Sequence, residues 1–220
     1  MKTKFDIFFD EQTHTYLVDG REVPSVTEIL KPLSSRAYGK VNQSILDYAA
    51  ARGTAVHDAC EAVDLGFDPD LDYETQPFIQ AYSDWCEVYS PKWIGVEQMV
   101  FCEPMWYAGT LDRFGILNDG KYAIVDLKTS SPTKEAYVSV CLQTAAYAVA
   151  LLGDDALPKD IKACDIKRYG LFLKKDGKYR MLDCSEYEGA NHFDSFKAFC
   201  YLRATDKLIN KLLKGDKQNG

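Results

Sequence analysis

No apolar run in this chain of 220 residues approaches the ~18–20 residues of a membrane span. The best stretch, Thr144 to Leu152, stops well short. The N-terminus, MKTKFDIFFDEQ, reaches Asp6 before an apolar block forms, which argues against a secretory signal. No two of the seven cysteines make a CxxC pair, so nothing has the spacing of a zinc ribbon. Their odd number and scatter, several inside apolar segments, fit buried free thiols in a reducing cytoplasm. There is no internal repeat and no low-complexity tract. From Gly53 to Pro91 there is no Lys or Arg, against nine acids, and the formal charge of the chain is −7. That balance argues against a protein that coats nucleic acid nonspecifically. Basic charge gathers instead from Lys162 to Arg180, where seven bases face Asp165 and Asp176. Each charged block alone reads as a solvated face, although the basic one also suits a local phosphate-facing surface.

What is present is an ordinary globular composition, 46% hydrophobic and 27% charged, in a chain long enough for one domain with a substantial core. Short strands are expected over residues 5–9 and 14–19. Ser25 suits the cap of a helix around Thr27 to Lys31 that Pro32 ends or offsets. A helical stretch from Asn42 to Leu65, broken or continuous at Gly53, places Val56, Ala59, Cys60 and Val63 on one stripe. A second helix, Glu74 to Tyr89, spaces Phe78, Tyr82, Trp85 and Tyr89 as a core stripe. Strands follow at Trp93 to Phe101, Gly109 to Leu117 and Lys121 to Lys128. The last two are joined by Asn118, Asp119 and Gly120, a hairpin signal. An Ala-rich helix spans Glu135 to Leu152, strands span Arg168 to Leu173 and Tyr179 to Asp183, and Ala190 to Leu213 is a closing helix. The pattern predicts a single α/β domain over 1–213, a central mixed sheet flanked by helices. Residues 1–40 form an accessory part, and 214–220 are a polar tail.

The chemistry concentrates in YAIVDLKTSS, Tyr122 to Ser131. Asp126 and Lys128 are two apart on a strand that starts as a buried apolar run, so they share a face. If the hairpin loop has three residues, Leu117 faces Lys121 and Asp112 lies opposite Asp126. A two-residue turn puts the two carboxylates on opposite faces. Two neighbouring carboxylates repel unless a cation lies between them, and carboxylate oxygens suit Mg²⁺ and Mn²⁺. A lysine beside such a metal would orient or help deprotonate water, or neutralise charge developing on a phosphate. A bare D-x-K pair is common and by itself reads as a surface salt bridge.

Further pieces sharpen the signal. Gly109-Thr110-Leu111-Asp112, Ile124 to Ser130 and Gln143-Thr144-Ala145-Ala146-Tyr147 resemble the motifs of the PD-(D/E)XK nuclease superfamily, in its RecB-like exonuclease branch. Arg52 to His57 is similar to that branch's helical histidine motif. His14-x-Tyr16, Gly20 and Pro24 to Thr27 resemble the leader of phage-encoded members. The resemblance covers roughly residues 10–175 and implies a restriction-endonuclease-like core. It implies Asp112 and Asp126 as metal ligands, Lys128 as the catalytic lysine, the carbonyl of Leu127 completing the metal shell, and His57 as a further ligand. Glu97 matches an acidic position of some members. Gln143 and Tyr147, one helical turn apart, would border the site and position Lys128 or the nucleic-acid backbone. Leu111 stands where the family name has Pro, and Asp126 where it has Glu or Asp. Cys164, Cys184 and Cys200 are too widely spaced for the iron–sulfur cluster of some relatives.

The expectation is a Mg²⁺- or Mn²⁺-dependent nuclease with one or two ions, a phage- or prophage-type DNA exonuclease acting in recombination, repair or degradation. Its partner would be DNA, with a strand-annealing recombination protein by analogy, and its place the cytoplasm, away from membranes. The alternatives are an endonuclease of the same superfamily, a non-catalytic DNA-binding or recombination module, and a phosphohydrolase acting on nucleotides. Trp106 and Tyr107 read as packing residues rather than base-stacking ones, and His14 and His192 as structural.

Overall fold

The computed structural model describes residues 5–153, 157–158, 160–185 and 191–215, with side chains to Lys211. The chain opens with a small antiparallel sheet of β1 (Ile7–Asp10), β2 (Thr15–Val18) and β3 (Arg21–Val23). The sequence pattern indicates only two of these strands. The third follows because Asp19 and Gly20 both take positive φ and close a tight turn. Ser25 caps α1 (Val26–Ile29), accepting from the Glu28 amide at 2.9 Å. The chain then re-enters a helix, α2 (Lys31–Tyr38), with Pro32 in its first turn, where its missing N–H costs nothing. Pro32 thus offsets one helix and starts another.

Helix α3 (Gln43–Asp64) is capped by Asn42 and runs unbroken through Gly53. It buries the expected Val56, Ala59 and Cys60. Helix α4 is Gln76–Tyr89. The central sheet is β4 (Lys92–Cys102), β5 (Tyr107–Ile116), β6 (Tyr122–Lys128), β7 (Lys167–Leu173) and β8 (Tyr179–Asp183), hydrogen-bonded in chain order. All neighbours are antiparallel except β6 and β7, which are parallel and joined through α5 (Lys134–Leu151). A closing helix α6 (His192–Gly215) packs against α5. Its expected first residue, Ala190, and residues 216–220 of the expected tail lie outside the described residues.

The sheet is covered on both faces. Ile124 of β6 packs with α1, α5 and α6 through Val26, Leu142, Tyr147 and Phe196. Its neighbours Ala123, Val125 and Leu127 pack with α3 and α4 through Val56, Phe78, Tyr82 and Trp85. The aromatic stripe of α4 is core, as its spacing indicated. Trp85 stacks with Tyr89 at 5.1 Å and with Trp93 at 6.1 Å between centroids. Among the described residues no helix is long and apolar enough to cross a membrane.

The β5–β6 hairpin closes with the three-residue loop. The Leu117 amide donates to the Lys121 carbonyl at 3.2 Å, and Gly120 takes φ +75°. The register pairs Arg113 with Val125 and Phe114 with Ile124. Continued by one pair, it sets Asp112 opposite Asp126. Following the alternation from Ile124, Asp126 and Lys128 fall on the α5 face.

Candidate metal centre

Three elements bring His57, Glu97 and Asp112 together. One ligand atom from each lies within 4.8 Å of the others. His57 comes from the middle of α3, one residue after the fully buried Val56 that anchors the helix. Its Nδ1 is 3.5 Å from Glu97 Oε1 and 3.9 Å from Asp112 Oδ1, and its Nε2 is 3.3 Å from the Leu127 carbonyl oxygen. With Nε2–H donating to Leu127, Nδ1 is the nitrogen turned towards the carboxylates. The Leu127 carbonyl, implied by resemblance to complete a metal shell, here receives the His57 ring. Burial alone would push the His57 pKa down, but Asp112 and Glu97 outweigh it and raise it to about 9.

Glu97 stands at an irregular place in β4. The register runs Val96 to Arg113 and Gln98 to Leu111, which sets Glu97 beside Asp112. Its φ of +44° is a left-handed conformation that costs a non-glycine residue on the order of 1 kcal/mol or more. Burial pushes the Glu97 carboxyl up, but His57 and Arg113 prevail and hold it below its ordinary value. Asp112 is fixed by the Leu127 amide, which donates to its Oδ2 at 2.6 Å and ties β5 to β6 at the site.

Asp126 and Lys128 form the other half. Lys128 Nζ is 2.6 Å from Asp126 Oδ2. Asp126 is 1% exposed, and beyond this ion contact neither of its oxygens has a well-directed hydrogen bond. Burial raises the Asp126 pKa to about 6 against the pull of Lys128. For Lys128, burial would lower the pKa, but Asp126 and Asp112 raise it, so the side chain is an ammonium. An ammonium held this way is placed to neutralise charge. Asp126 lies beside the three-residue cluster rather than within it.

Gln143 and Tyr147 share a face of α5, as their spacing implied. Gln143 Nε2 donates to the Tyr147 hydroxyl at 3.1 Å, and both residues are buried. Burial, then Asp126, raises the Tyr147 pKa well above normal, so the phenol stays protonated beside the carboxylates. The ring lies against Gly109, where a Cβ would stand 2.7 Å from Tyr147 Cε1. This close approach accounts for the glycine three residues before Asp112. On its other side, Tyr16 and Thr110 share a 2.8 Å hydrogen bond that ties the small sheet to β5.

The sequence reading missed the support beneath the centre. Arg113 is fully buried and bridges two acids. Its Nη1 donates to Glu97 Oε1 at 2.8 Å and to the Asp112 carbonyl at 2.7 Å, and its Nε contacts Asp64. Asp64 also accepts from the Tyr82 hydroxyl and from Trp93 Nε1, each at 2.8 Å. Arg113 follows Asp112 directly, and a cation inside a β-branched and aromatic strand pattern was the available signal. The basic stretch from Lys162 to Arg180 is divided in the structure. Arg168 turns inward to the carbonyls of Cys141 and Cys184, Lys167 approaches Asp183 at 3.9 Å, and Arg180 lies over the Tyr137 ring. Tyr107 is wholly buried, with its hydroxyl on the Ala146 carbonyl, and Trp106 packs edge-on against Phe101.

Compared with known proteins, the chain matches no family model and no curated protein.

Proposed function

We propose that the protein is a metal-dependent nuclease of the PD-(D/E)XK type, hydrolysing phosphodiester bonds in DNA, with an exonuclease as the first expectation. The observation that carries this reading is one juxtaposition. An imidazole and two carboxylates converge within 4.8 Å, and a buried carboxylate–lysine pair at 2.6 Å stands on the adjoining strand. The donor set fits a small, hard divalent cation: two carboxylates and one imidazole nitrogen, with the unsaturated oxygens of Asp126 alongside. His57 Nδ1, Glu97 and Asp112 would hold Mg²⁺ or Mn²⁺, with Asp126 as a further oxygen donor. Such an ion, when bound, lowers the pKa of a bound water and offsets phosphate charge.

The chain's own groups do the rest. The Lys128 ammonium, anchored by Asp126, would face a non-bridging phosphate oxygen and stabilise the charge gathering there. Asp112, pinned by the Leu127 amide, keeps its other oxygen turned towards His57. Gln143 and the protonated Tyr147 supply neutral polar groups at the edge of the site, positioning Lys128 or the strand.

The test is cleavage of end-labelled linear and closed circular DNA with Mg²⁺, Mn²⁺ or EDTA, with Lys128→Ala alongside. Metal-dependent loss of linear DNA alone, abolished in the variant, is the expected result. Cutting of circles would make it an endonuclease. Metal binding without cleavage of any polymer would sink the nuclease reading and leave a binding module.

A further inference from the structure

We infer that the cavity beside the Thr129–Ser131 loop is a phosphate-binding subsite for the nucleic-acid strand, built on Arg52 and completed by Lys174 and Lys175. The inference rests on the nuclease reading and extends it to a position next to the scissile bond. The cavity has a volume of about 360 Å³ and begins one residue past Lys128. Its walls are Arg52 from α3, Phe78 from α4, Ser130 and Ser131 from the loop after β6, and Lys174 and Lys175 from the β7–β8 turn.

Arg52 is held rather than free to wander. Its guanidinium lies 5.5 Å from the Phe78 ring centroid and 6.0 Å from that of Tyr48, and Nη2 donates to the Thr129 carbonyl at 3.4 Å. A guanidinium fixed against aromatic faces loses little further freedom on binding an anion. Its Nε is buried and has no hydrogen-bond partner, a donor left unmet inside the protein. Among the described residues no carboxylate forms an ion pair with Arg52, Lys174 or Lys175. The one acid on the cavity wall, Asp176, accepts from the Lys178 amide at 3.2 Å and closes the turn.

Three cations against one carboxylate leave the cavity with an excess of positive charge that a bound anion would offset. The neighbouring space shows that this is not a general feature of the site's surroundings. On the other side of Ser130 lies a smaller cavity of about 220 Å³ between α2 and α5, whose wall carries one base, Lys128, and one acid, Glu135, among hydroxyl, amide and apolar groups, with Lys128 itself paired to Asp126. A strand crossing Lys128 therefore meets strongly asymmetric flanks. Arginine in a fixed fork and two serine hydroxyls are suited to phosphate oxygens.

The test is binding of a fluorescent oligonucleotide, single-stranded and duplex, in EDTA across a KCl series. The wild type is compared with Lys174→Gln, Lys175→Gln and Arg52→Gln, and with Lys121→Gln at the distant hairpin as a charge-matched control. Each phosphate neutralised in the wild type and left unneutralised in a variant should lower the slope of log affinity against log salt by about 0.7–0.9. The expected result is such a fall for the three cavity variants and none for the control. A parallel titration with inorganic tripolyphosphate separates the two readings. DNA binding with slopes unchanged in the cavity variants overturns the subsite and leaves the nuclease reading intact. No DNA binding, with tripolyphosphate bound in a Lys174- and Lys175-dependent way, keeps the subsite and removes the nucleic acid. Absence of both overturns both.

Discussion

Arg113 Nη1 donates to Glu97 Oε1 at 2.8 Å, and the guanidinium that does so is fully buried. The residue therefore connects the candidate metal centre to the core. Towards the core it meets Asp64, which also holds Tyr82 and Trp93; towards the site it holds the carboxylate that faces His57. Replacing Arg113 by Met leaves Asp64 buried without its cation and Glu97 without its donor. Breaking a buried pair in this way costs about 3–5 kcal/mol. Urea denaturation should show that loss. Arg113→Lys, with one ammonium for two carboxylates, should lose less stability but still weaken Mn²⁺ binding. A loss below about 1 kcal/mol for Arg113→Met would show that the network adds little to the fold.

His57 makes stability depend on pH in the metal-free protein. Its folded pKa, about 9, lies above the ordinary 6.5, so the folded state holds its proton more tightly. The stabilisation is complete below about pH 6.5 and is lost as pH rises through 9. Thermal denaturation in EDTA should show the wild type losing on the order of 2 kcal/mol over that window relative to His57→Gln. A bound divalent cation must displace the Nδ1 proton, so Mn²⁺ affinity should rise across the same window. Parallel stability curves for wild type and His57→Gln would show that His57 does not carry the effect.

The alternation in YAIVDLKTSS makes the Asp126–Lys128 face legible, because period-2 geometry needs only one strand. The meeting of Asp112 with Asp126 depends on the hairpin loop, and Asn118-Asp119-Gly120 permits two lengths; the closed Leu117–Lys121 pair selects between them. Pro32 reads as a stop because proline breaks helix interiors. At the second position of a helix it is a start, and the sequence pattern does not distinguish the two. The support of Glu97 is legible only at Arg113, as a cation within a strand pattern. Asp64, Tyr82, Trp93 and Arg113 are separated widely along the chain, and only packing of α3, α4, β4 and β5 brings them together. Glu97 itself owes its aim to a left-handed backbone that no propensity would assign to glutamate.

Gly109 and Tyr147 should behave as a coupled pair. A Cβ at Gly109 would stand 2.7 Å from Tyr147 Cε1 and 3.3 Å from its hydroxyl, so Gly109→Ala displaces the ring and with it Gln143. Overpacking of this kind costs about 1–3 kcal/mol. In a Tyr147→Ala background the same substitution has space and should cost well under about 1 kcal/mol. The double-mutant cycle reads the difference as coupling. Equal costs in the two backgrounds would mean that the ring does not press on Gly109.

Lys128→Met tests whether the lysine also serves the fold. Asp126 is 1% exposed, and its closest countercharge is the Lys128 ammonium at 2.6 Å. Burial already lifts its pKa to about 6 with that lysine present. A raised carboxylate pKa means that the folded state favours the proton, so stability falls as pH rises from about 4 through 6. Removing Lys128 moves the carboxyl further up and extends the fall to neutral pH. The variant should be near wild type at about pH 5 and less stable by about 3 kcal/mol or more at about pH 8, as expected for an unpaired buried charge. Adding Asp126→Asn removes that charge, and the double variant should lose the pH dependence and regain part of the stability in the alkaline range. If Lys128→Met instead tracks the wild type at both pH values, water reaches Asp126 and the lysine is dispensable to the fold. A loss of cleavage in that variant would then report on chemistry alone.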